Sequence, residues 1–116
     1  MSQVYGIYSN SEVQLDVDTN FRISKHRNSR NKCIHIDDSI GNEEEEQLGE
    51  KAVQLAREIF EIGGITELEF VNPFQLRVFN TRVIGHRELS SKIKEIFDKV
   101  FPGSVLQNKD LSESVI

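Results

Sequence analysis

The sequence predicts an α+β fold, a mostly antiparallel sheet of roughly four to six strands with two helices packed on one face. Three observations lead there. Two stretches carry one apolar stripe at helical spacing, Leu48–Phe60 and Leu89–Phe101. Several short runs alternate apolar and polar residues, as half-buried strands do. Turn formers separate them: Asn10-Ser11, Gly63-Gly64, Asn72-Pro73 and Pro102-Gly103. Each helix has a single face to bury, and each strand supplies half of what such a face needs.

Met1–Ser9 alternates, with Val4, Gly6 and Tyr8 on one side and Tyr5 and Ile7 on the other. Asn10-Ser11 reads as a turn. Val13, Leu15 and Val17 then alternate with Glu12, Gln14, Asp16 and Asp18, a second strand that Phe21 and Ile23 extend or follow. His26 to Asn31 is a run of turn formers. Lys32 to Ile36 is a further strand, with Ile34 and Ile36 facing one way and Cys33 and His35 the other.

Leu48, Ala52, Leu55, Ala56, Ile59 and Phe60 mark the first helix, with Asn42 as N-cap and Glu43–Glu46 at the positive end of its dipole. Gly63-Gly64 stops it. Ile65–Val71 and Phe74–Val78 form a hairpin about Asn72-Pro73, since proline has no amide to give a ladder. The closing helix runs from His86 to Phe101 and buries Leu89, Ile93, Ile96, Phe97, Val100 and Phe101. Phe70, Phe74, Phe97 and Phe101 all fall on faces assigned to the core. Residues 1–102 thus read as one domain and 103–116 as an irregular or partly disordered tail, with a short pairing segment as its most ordered form.

The chain has 116 residues, a net charge of −5 and no Trp, enough for one modest core. Its lone Cys33 has no intramolecular disulfide partner, and no apolar run approaches a membrane span. A cytoplasmic, membrane-free protein without a cofactor is expected. Charge is unevenly spread. Arg22, Lys25, Arg27, Arg30 and Lys32 occur in 22–32 without an acid, whereas 37–50 holds seven acids and no base.

Two stretches resemble the N-terminal domain of Nfu/NifU-type iron–sulfur scaffold proteins. LAREIFEIGGITELEFVNPFQLRVF (Leu55–Phe79) looks like that family's helix, glycine break and phenylalanine-rich hairpin. FRISKHRNSRNKCIHI (Phe21–Ile36) resembles its opening strand, Asn-rich loop and second strand. With the closing helix the likeness spans about residues 20–101. Arg27-Asn28-Ser29-Arg30-Asn31 stands where the family has Thr-Pro-Asn-Pro-Asn, and the first twenty residues are extra. The family's cluster-holding Cys-x-x-Cys pair lies in a separate domain and does not occur in this sequence. The resemblance therefore implies a fold and an association with iron–sulfur assembly, not a cluster site.

The candidate binding residues are Arg22, Lys25, His26, Arg27, Asn28, Arg30, Asn31 and Lys32, whose donors could grip a phosphate, a carboxylate or an acidic partner. The same charges would also simply solvate a turn. Cys33 and His35 project from one face of a strand, but two ligands fall short of a metal site's usual four. No nucleophile elbow is present, and no sequence spacing fixes a nucleophile beside a base. The expectation is a non-enzymatic accessory or adaptor domain acting by contact with a protein partner. Two alternatives stand beside it: a homo-oligomeric structural protein, and a nucleic-acid or phosphate binder using 22–32, the latter opposed by the net acidity.

Overall fold

The computed structural model describes residues 2–25 and 31–107. Six strands form one sheet: β1 (Val4–Ser11), β2 (Gln14–Thr19), β3 (Lys32–His35), β4 (Ile65–Asn72), β5 (Gln75–Asn80) and β6 (Val105–Leu106). Their spatial order is β3-β4-β5-β2-β1-β6. All pairings are antiparallel except β1 with β6. Three helices accompany them, α1 (Asn42–Leu48), α2 (Glu50–Glu61) and α3 (His86–Val100). The class is α+β, as the alternation and the helical stripes require.

Register explains how one face of the sheet becomes core. Ile34, Leu68, Val78 and Leu15 are cross-strand neighbours in one row, and Phe70, Leu76, Val17 and Ile7 in the next. All eight are at most 1% exposed. Residues of period two on the strands meet residues of period 3.6 on α2 and α3, notably Leu55, Ile59, Ile93 and Phe97. Tyr5 stacks on Phe97 at 4.4 Å between centroids, and Phe21 and Phe101 pack around the same ring. Truncating so central a ring as Phe97 to Ala costs about 3–5 kcal/mol.

The expected first helix is two. Gly49 adopts φ 97°, ψ 161°, a conformation open in practice to glycine alone, and separates α1 from α2. Helical periodicity survives the break because Leu48 and Ala52 both still point into the core. Asn42 is the first helical residue and not the cap. Gly41 precedes it, and its amide donates to Glu44 Oε1 at 2.8 Å. The Gly63-Gly64 stop holds, both glycines having positive φ.

Other boundaries shift for local reasons. β1 continues through Ser11, so the first turn falls at Glu12-Val13 and leaves Val13 exposed instead of in the core. Ile36 lies past the end of β3 and is half exposed. Phe74 sits in the hairpin turn, where its amide donates to Asn72 Oδ1, and is exposed as well. Phe21 and Ile23 are buried without belonging to a strand: the Ile23 amide donates to the Pro73 carbonyl. Within 103–116, Val105 and Leu106 pair in parallel with Val4 and Tyr5, and residues 108–116 lie outside the described residues.

Candidate interaction surface

The basic segment divides in space. Arg22 and Lys25 lie together on an irregular stretch that crosses the start of α2. There the Lys25 amide donates to the Leu48 carbonyl at 2.8 Å. Packed that closely, the aliphatic stem of Lys25 runs over Gly49, its Cγ 3.5 Å from where a Cβ would stand. Asn31 and Lys32 lie instead at the β3 edge. Asn31 Nδ2 donates to Glu69 Oε2, and Lys32 pairs across the ladder with Phe70. His26, Arg27, Asn28 and Arg30 lie outside the described residues.

Between Arg22–Lys25 and the first turn of α2 is a shallow cleft of about 280 Å³. Its floor is the edge of buried Leu48, Ala52 and Phe101, and Arg22, Lys25 and Lys51 stand on its rim. Two of these cations are placed by rings: the Arg22 guanidinium lies 5.7 Å from the Phe74 centroid, and Lys51 Nζ lies 5.4 Å from that of Phe101. None of the three makes an ion pair among the described residues. Lys51 escaped the sequence reading because it belongs to the wet face of a helix. Only the chain crossing at Gly49 brings it to Lys25.

Two further clefts are polar. One of about 470 Å³ follows the outer side of α2 toward α3. Its cations are already engaged: Lys99 Nζ bonds Glu58 at 2.9 Å, and Arg57 donates to the Ile40 carbonyl at 2.8 Å. The other, beside β3, gathers Lys32 and Cys33 with Asp38, Glu43 and Glu44. The expected same-face pair, Cys33 and His35, is indeed exposed on β3, and His35 Nδ1 lies 3.3 Å from Glu67 Oε1. Partial burial and then the charges of Glu69 and Glu67 raise the Cys33 pKa, which disfavours a thiolate there. No group of three or more His, Cys, Asp or Glu residues among the described residues is placed to hold a metal ion.

The sheet face away from the helices is open. Register aligns Cys33, Glu69, Arg77, Asp16 and Tyr8 across five strands. Arg77 sits between two carboxylates, 3.4 Å from Glu69 Oε1 and 3.8 Å from Asp16 Oδ1. Asp18, on the same side, has its pKa raised by burial first and then by Asp16. One guanidinium thus serves three carboxylates, which leaves this part of the face acidic.

A third cluster was invisible in sequence. His86 Nδ1 lies 2.7 Å from Ser9 Oγ, and its Nε2 lies 3.0 Å from Asn80 Oδ1. Asn80 Nδ2 donates to the carbonyls of Glu12, Thr81 and Ile84, so Oδ1 is the atom turned to the ring. Nε2 must then carry the proton and Nδ1 accept from the Ser9 hydroxyl. This is the order of nucleophile, base and orienter. None of the three clefts is lined by Ser9, His86 or Asn80, and the bonds fasten β1, β5 and α3 together.

The chain matches no protein-family model, no curated protein and no solved structure. No helix among the described residues is long and apolar enough to cross a membrane.

Proposed function

We propose that this chain is a non-enzymatic adaptor domain that works by protein–protein contact, in association with iron–sulfur assembly. The observation that carries the contact reading is the rim of three cations, without an ion-pair partner among the described residues, over an apolar floor in a protein of net charge −5. Unpaired surface cations clustered against the overall charge favour an oppositely charged partner and speed its encounter. The link to iron–sulfur assembly rests on the resemblance over about residues 20–101. Its supporting feature is the succession of helix, Gly-Gly stop, hairpin and closing helix. The partner class has its own test.

That test is calorimetry of the purified chain against purified iron–sulfur scaffold, sulfur-donor and apo-client proteins, one at a time. The reading expects saturable binding to at least one, weakened by added salt. Absence of binding to all of them would remove the assembly role.

A further inference from the structure

We propose that the cleft between Arg22–Lys25 and the start of α2 is a docking site for an acidic peptide segment of a partner protein. The proposal rests on the contact reading above and names the surface and the ligand chemistry that reading leaves open.

Charge complementarity selects the occupant. Arg22, Lys25 and Lys51 surround the cleft, with Glu50 as the one acid among its described lining residues. In the other two clefts the carboxylates outnumber the cations. The three cations are preorganised in different ways. Arg22 lies over Phe74, Lys51 over Phe101, and the Lys25 stem is laid along Gly49. Less side-chain freedom is therefore lost when a carboxylate arrives, which is where exposed ion pairs usually forfeit their gain.

The floor sets the second requirement. Leu48, Ala52 and Phe101 are each no more than 4% exposed, so the cleft is shallow and admits one modest apolar side chain. Binding must then come mainly from charge, with the apolar contact fixing register. An extended segment with alternating acids and one aliphatic residue meets both demands. A nucleic acid would meet the cations but carries no aliphatic side chain to seat on the apolar floor.

The test uses fluorescence anisotropy of a labelled short Glu/Asp peptide with one central Leu, titrated with the full chain. Expected is saturable binding that weakens as salt rises and weakens further when Gly replaces the Leu. Lys25→Glu with Lys51→Glu should weaken it about tenfold or more. Arg87→Glu with Lys92→Glu, the same charge change on α3, should do much less. Lys25, Lys51 and Arg87 are exposed and Lys92 is partly exposed, so both double variants should keep the fold.

No binding, or equal loss in both double variants, would overturn the docking site. So would a short RNA or inorganic phosphate competing as well as the peptide, which would make this a general anion site. The two proposals fail separately. Peptide binding here without affinity for any iron–sulfur protein sinks only the assembly role. Affinity for such a protein that survives Lys25→Glu with Lys51→Glu sinks only this site.

Discussion

The imidazole of His86 donates from Nε2 to Oδ1 of Asn80 across 3.0 Å, tying the first residue of α3 to the last of β5. Asn80 is 3% exposed and spends its amide protons on three backbone carbonyls. A buried amide so committed cannot be removed without orphaning its partners. Asn80→Ala should cost about 2–3 kcal/mol of folding stability, read from chemical denaturation.

His86 itself makes that tie pH-sensitive. Burial lowers its pKa from the ordinary 6.5. The unfolded chain therefore takes up this proton more readily than the folded one, and acid favours unfolding. The stabilising contribution is complete above about pH 6.5 and declines as pH falls toward and through the folded value. Denaturation midpoints measured from neutral to mildly acidic pH should show this decline in the wild type. His86→Gln should flatten it.

Gly49 carries the kink that puts Lys51 beside Lys25. At φ 97°, ψ 161° a side chain is strained even though the nearest atoms, on the Lys25 stem, leave room at 3.5 Å. Gly49→Ala should cost about 1–3 kcal/mol. The cost should persist in Gly49→Ala with Lys25→Ala, because it arises in the backbone and not from a clash. Full recovery in the double variant would refute that account.

Tyr5 buries its ring against Phe97, yet its hydroxyl makes no hydrogen bond among the described residues. Burial first, and then Asp98, push its pKa up to about 12. Tyr5→Phe keeps the ring and sheds an unsatisfied polar group, so it should stabilise the fold by about 1 kcal/mol. Thermal unfolding of the two proteins decides the sign.

The fold class was legible because the alternation of β2, β4 and β5 and the stripes of α2 and α3 are local patterns. Boundaries failed where one residue's conformation decided them. Apolar periodicity cannot reveal that Gly49 interrupts a helix, since Leu48 and Ala52 stay buried on both sides of it. Phe74 looked like core by alternation, but the hairpin turn begins before it does. The site was half legible. Arg22 and Lys25 stood out as charge, whereas Lys51 reaches them through a chain crossing, and Ser9, Asn80 and His86 meet only when β1, β5 and α3 are assembled.

Chemical-shift mapping on the labelled chain tests the central claim most directly. The titrant is the iron–sulfur protein that binds most tightly in calorimetry. The account predicts perturbations concentrated at Arg22–Lys25, Leu48–Ala52 and Phe101. Perturbations concentrated instead on the open sheet face, at Asp16, Glu69 and Arg77, or no perturbation by any such protein, would contradict it.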